Sequence, residues 1–253
     1  MIMMVVVLAG ILIAKVYYTK INKSVDPRIK PARELYGQYN SLAQDNNFRA
    51  IFSLLDSVES VYGRIPHYND SFEMGVLWNN RAAAWLTIAM YRDSIQGSGS
   101  NDYSNLGIDS LLELARVSAG KSIEIYRDWL SWYEGKNSDE ISRMIRDEFL
   151  IGLDGTKEEL SGYLKARVKE IEDAQWETNR RLSVAYTNLG IIFRLEDKLE
   201  EAAKMYATAL ELWEDNLSAE NNLNRLLGRP TKKRSIIQKL FPKPREKQKT
   251  KTN

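Results

Sequence analysis

Between Thr156 and Phe193 the apolar residues Leu160, Leu164, Val168, Ile171, Ala174, Leu182 and Leu189 recur at helical spacing, with charged residues between them. Thr156-Lys-Glu-Glu159 at the head of this stretch has the form of a capping box. Unbroken, the pattern predicts a helix of about 38 residues, roughly 57 Å at ~1.5 Å per residue, long enough to serve as a spine. A second amphipathic stretch, Ser138 to Leu150, opens with acids in its first turn and is expected to pack on that spine. No run alternates β-branched residues as a strand requires, so the chain reads as all-α.

Within the long stretch, Tyr186, Leu189 and Phe193 lie on one stripe, and Gly190 is small where a second helix must cross. After the turn Arg194-Leu-Glu-Asp-Lys-Leu, the next helix offers Ala202, Tyr206 and Ala209, small-large-small, against the first. This spacing resembles the tetratricopeptide repeat (TPR), a helical hairpin that stacks into solenoids. All its landmark positions are filled by identical or like residues save the closing proline, where Glu214 stands. A looser turn is therefore expected after the second helix.

One hairpin leaves an apolar face that neighbours must cover, so degenerate relatives are expected upstream. Trp78, Ala82 and Trp85 fit the first helix of such a unit, with Ala119, Ile123 and Tyr126 on the second. Between them Gln96 to Gly107, rich in Gly, Ser and Asn, is expected to be a mobile loop. Asp45-Asn-Asn-Phe48-Arg-Ala50 looks like a repeat turn entering a helix, preceded by a poorer helix near Leu35 to Leu42. Downstream, Ser218 to Leu227 reads as a polar-faced closing helix stopped by Gly228 and Pro230. The clearest repeat spans 183–216 and its cap 217–228, within a helical body over 33–228; an irregular bundle is the alternative.

Candidate chemistry is sparse. Cysteine is absent and His67 is the one histidine, so no zinc set and no thiol nucleophile can be assembled. No Gly-x-Ser-x-Gly elbow or phosphate-binding glycine loop occurs, and acid pairs such as Glu158-Glu159 fall on polar helix faces. No catalytic residue, metal ligand or cofactor is expected. His67 reads as a surface or packing residue in a loop. The resemblance instead implies an interaction scaffold, with partners held in a groove lined by the first helix of each pair. Carried over by position, Asn79, Asn80, Thr187, Asn188 and Arg194 are expected to face that groove, the asparagine amides suiting an extended peptide backbone. The partner is expected to be a protein or peptide. A structural envelope component is the alternative, and an enzyme with an unrecognised helical site a weaker one.

The two ends alter this picture. Residues 2 to 14 are wholly apolar and Val16-Tyr17-Tyr18 extends them past Lys15, which predicts a transmembrane anchor over 1–20. Asp26-Pro27 and Pro31 suggest a stiff linker over 21–32. Lys and Arg follow the apolar run and none precedes it, so the body is expected on the cytoplasmic side; the periplasmic side is the alternative that anchored repeat proteins suggest. From Arg229 to Asn253 there are ten basic residues and one acid, a net +9. The whole chain carries +2, which leaves −7 for residues 1–228. A disordered basic tail over 229–253 is expected, with anionic lipid within its reach and nucleic acid disfavoured for want of a recognition helix.

Overall fold

The computed structural model describes residues 25–91, 103 and 105–233, and among these every regular element is a helix. The helices are α1 (Lys30–Tyr36), α2 (Tyr39–Gln44), α3 (Phe48–Tyr62), α4 (Phe72–Tyr91), α5 (Ile108–Tyr133), α6 (Ser138–Leu150), α7 (Lys157–Leu195), α8 (Leu199–Leu212) and α9 (Leu217–Leu226). None of these is long and apolar enough to cross a membrane. The expected anchor, over 1–20, and the tail beyond Lys233 lie outside the described residues.

Local chemistry sets most boundaries. Thr156 accepts from the Glu159 amide while Glu159 answers the Thr156 amide, so the expected capping box starts α7, which runs for 39 residues. Asn137 and Glu140 build the same device at α6. The turn from α2 to α3 and the turn from α7 to α8 share one backbone solution. Asn46 and Asp197 take positive φ (52° and 59°), and the next amides, Asn47 and Lys198, each donate five residues back, to Leu42 and Phe193 at 2.9 Å. Asn46 and Asp197 themselves donate to Ala43 and Arg194. This closes the carbonyl ends of two helices by the same left-handed cap.

α5 packs most extensively on α4, α8 on the C-terminal half of α7, and α6 on the N-terminal half of α7. Both long pairs cross at a glycine. A Cβ on Gly190 would stand 2.6 Å from Cε1 of Tyr206, and one on Gly75 would enter the ring of Tyr126. Both rings are fully buried, so neither can swing aside without disturbing its neighbours. The sequence placed the small residue of the first pair at Ala82. Ala82 is indeed buried with Ala115, Ala119, Leu112 and Ile192 in a small cluster, but the ring-to-backbone contact falls two turns earlier, at Gly75. A larger cluster unites α1, α3, α4, α5, α6 and α7.

Two expectations are corrected here. From Val25 onward the supposed linker belongs to the body: Ile29 is fully buried, and Pro31 lies in the first turn of α1, where its missing N–H costs nothing. Arg28 fixes this entry by binding Asp26 and donating to the carbonyls of Phe149 (2.8 Å) and Ile151 (2.5 Å). The turn after α8 is not loose either. Asn216, buried, donates to Ser183 Oγ (2.8 Å) and Thr187 Oγ1 (3.0 Å) and accepts from the Ala219 amide (3.1 Å), which closes the turn without proline. In the α4–α5 connection, where the ring of Tyr103 meets Trp85 at 5.2 Å and Phe52 at 5.6 Å, residues 92–102 and 104, most of the expected mobile loop, lie outside the described residues.

Gly190→Ala is expected to lower stability by about 1–3 kcal/mol, as overpacking does, and Gly75→Ala to do likewise. Gly162→Ala, on the same long helix with open space around it, serves as the control and should be neutral or slightly stabilising. Denaturant titration monitored by circular dichroism measures all three. Equal midpoints for Gly190→Ala and Gly162→Ala would remove the helix crossing from the account.

Candidate functional site

The loop between α3 and α4 carries His67 with φ of 72° and only 7% exposure. Its Nε2 accepts from Arg167 Nε at 3.1 Å, and its ring meets Tyr68 and Phe149 edge-on. Arg167, on α7, is buried to 1% side-chain exposure. Its guanidinium lies 4.3 Å from the Tyr68 ring centre and binds Glu73 through Nη1 (2.6 Å) and Nη2 (3.3 Å). Nη1 also reaches Glu170 at 3.2 Å, and Glu170 in turn holds Arg33 of α1 at 2.7 Å. One chain of polar contacts therefore ties α1, the 63–71 loop, α4 and α7 together.

The electrostatics follow from that arrangement. Burial alone would push Glu73 up, but the Arg167 charge and its hydrogen bonds outweigh it and hold the carboxyl below its ordinary value. Burial, reinforced by Arg167, pushes His67 down to about 3, so it is a neutral acceptor. Burial drives Tyr62 up to about 12. These are shifts of a structural ion-pair network: each charge already has its partner, and the acceptor nitrogen of the histidine is taken by Arg167.

Beside the network lies a cleft of about 620 Å³, more open than enclosed. Tyr36, Tyr62, Phe72, Val76, Leu77 and Ala174 give it an apolar floor. Arg33, Glu73, Glu170, Asp173, Glu177 and Arg181 form its charged rim. The rim residues of α7 recur every three or four positions, so one helix face supplies them. Arg181 differs from the other rim arginine. Its guanidinium sits 5.1 Å from the Phe72 ring centre, and its Nη1 is buried without a hydrogen-bond partner. A buried donor of this kind favours an incoming carboxylate or carbonyl oxygen.

The five residues carried over from the repeat pattern do not converge on this cleft. Asn188 donates to Asn79 at 3.0 Å, so these two amides bridge α7 and α4. Asn80 donates to Tyr36 OH at 2.6 Å and so supports the cleft wall from behind. Thr187 is 3% exposed, with its hydroxyl engaged by Ser183 O and Asn216; it faces the α8–α9 turn and not an open groove. Arg194 lies by Tyr206 at the α7–α8 crossing, where its charge helps offset the upward push of burial on the phenol. Sequence reasoning missed Arg167, Glu73 and Arg181. No local signal set Arg167 apart, since Lys165 and Lys169 flank it in the same stretch from Leu164 to Ile171. Among the described residues no cluster of His, Cys, Asp or Glu has metal-binding geometry. The chain matches no known protein-family profile, no curated protein and no solved structure.

Stability is expected to fall as pH drops through the window set by His67. The unfolded histidine takes up a proton below about 6.5, the native one only near 3, so acid favours the unfolded chain between these values. Glu73, held low in the native state, adds to the same loss at the acid end. His67→Asn keeps an acceptor and tolerates the positive φ. It should flatten the dependence between pH 6.5 and 4 by up to ~1.4 kcal/mol per pH unit, the equivalent of one proton. Unfolding free energies across pH for both proteins make the comparison; parallel curves would contradict the buried, neutral histidine. Arg167→Ala should cost about 3–5 kcal/mol, since it leaves Glu73 charged and unmatched.

Proposed function

We propose that this protein is a membrane-tethered, TPR-like scaffold that holds a segment of a partner protein in the cleft between α1, α4 and α7. The observation that carries the reading is Arg181 Nη1, a buried donor without a partner above an apolar floor, beside acids matched within the protein. A partner that sets an apolar side chain on the floor and a carboxylate or backbone carbonyl against Arg181 satisfies both features. No side chain of the cleft is placed as a nucleophile beside a base, and the titration shifts serve the ion-pair network, so the reading is recognition without catalysis.

Repeat architecture is supported by three features. The Gly75–Tyr126 and Gly190–Tyr206 crossings are alike in two hairpins, α4–α5 and α7–α8, and the left-handed caps at Asn46 and Asp197 are alike in two turns. α9 covers the last hairpin as a closing helix would, packing on α8 and α7. Tethering rests on the apolar residues 2–14 and cytoplasmic placement on the lysines and arginines that follow them. On that side the basic tail has anionic lipid within reach.

Full-length protein solubilised in mild detergent is the reagent for the test. Val76→Trp fills the cleft from a half-buried position, and Arg181→Gln removes the unmatched charge. A genuine cleft partner is recovered with the wild type and lost at least about tenfold, ~1.4 kcal/mol, with each variant at unchanged melting temperature. Recovery of the same proteins by all three would exclude the cleft as the binding site. For the tether, deletion of residues 1–20 is expected to release a folded helical protein from membranes, and protease added to intact spheroplasts should spare the full-length body. Retention of the truncated chain in the membrane, or digestion of the body, would refute anchor or side respectively.

A further inference from the structure

Past α9 the chain turns back on itself. Gly228 takes φ of 66°, the Arg229 amide donates to Asn224 O at 2.8 Å, and the segment that follows returns to α9. There the side chain of Asn221 pairs with the backbone of Lys232 at two points. The Lys232 amide donates to Asn221 Oδ1 at 2.7 Å, and Asn221 Nδ2 donates to Lys232 O at 3.0 Å. An amide side chain satisfies one residue of extended backbone in this way, much as a neighbouring strand would. The Lys232 ammonium pairs with Glu220.

Lys232 and Lys233 line a groove of about 670 Å³ together with Val184 of α7, Trp213 and Leu217. It is separate from the cleft at α1 and largely apolar. In sequence, Ile236 and Ile237 follow Lys233 by three and four residues, and Leu240 and Phe241 come next. At about 3.3 Å per extended residue, Ile236 needs only ~10 Å of chain to reach the groove. Charge favours the same placement: the tail carries +9, whereas the last hairpin and its turns bear Glu200, Glu201, Glu211, Glu214, Asp215 and Glu220.

We propose that the groove between α7 and α9 is a docking site for the chain's own Ile236–Phe241 segment, led in by the Asn221 clamp on Lys232. The site recognises extended backbone through one amide and branched apolar side chains through Val184, Trp213 and Leu217. Its resident occupant is intramolecular. It does not depend on the cleft reading.

The test uses the full-length chain. A benzophenone amino acid at Ser218, an exposed residue of the groove wall, is expected on irradiation to cross-link within the same chain to residues 234–241, as peptide mapping would locate. Asn221→Ala should reduce that product several-fold at unchanged melting temperature. Hydrogen exchange provides a second reading without a probe in the groove: the Lys232–Phe241 amides of the wild type should exchange at least tenfold more slowly than in Asn221→Ala. Cross-links only between chains, none to the tail, or unprotected exchange in the wild type would each overturn the proposal.

Discussion

A guanidinium buried as deeply as Arg167 must be matched inside the protein, and meeting that demand organises the N-terminal two-thirds of the molecule. Removal of one charge from water is costly enough that the surrounding chain has to supply an opposite charge and the remaining acceptors. Glu73 supplies the charge from the first turn of α4, His67 the acceptor from a left-handed loop position, and Tyr68 a ring face. Glu170 carries the arrangement outward to Arg33. The long helix is thereby fixed in rotation and height against α1 and α4. The cleft lies beside these polar contacts, on helices that a shared apolar cluster also joins.

The C-terminal third solves the same problem with backbone and hydroxyls. Gly190 lets the Tyr206 ring lie against the α7 main chain, Ser183 Oγ donates to Ala209 O at 2.6 Å, and Asn216 closes the turn. Small residues and short hydrogen bonds give a close crossing there. The two halves thus differ in physical character although one helix runs through both. Ionic matching borders the cleft at one end, and close packing borders a surface groove at the other.

Local signals were read well from the chain. Thr156 and Glu159 announced the start of α7, and the 3.6-residue pattern its length, because both depend on residues within one or two turns. Gly190 with Tyr206 was legible because the contact joins residues only 16 positions apart across one turn. The candidate site was largely hidden, since Arg167 meets Glu73 and His67 across separations of 94 and 100 residues. Asn79 and Asn188 show the same limit: placed on the right helices, they turned out to bind each other. Residues 25–32 looked like a linker for their prolines, yet Ile29 and Asp26 are buried, because Arg28 finds carbonyls at the far end of α6.

The continuity of α7 restricts how such a chain can change over time. Repeat arrays commonly grow or shrink by copying or dropping whole hairpins, which is harmless where units meet at loops. Here the N-terminal half of one rigid rod answers to α6 and its C-terminal half to α8. A helical pair inserted at that point would have to break α7, and loss of α6 or α8 would uncover one half of it. Even a single inserted residue would rotate the second half by about 100° relative to the first. The molecule is in this sense fixed in its number of parts, and its variation should be confined to side chains, to the α4–α5 connection and to the ends.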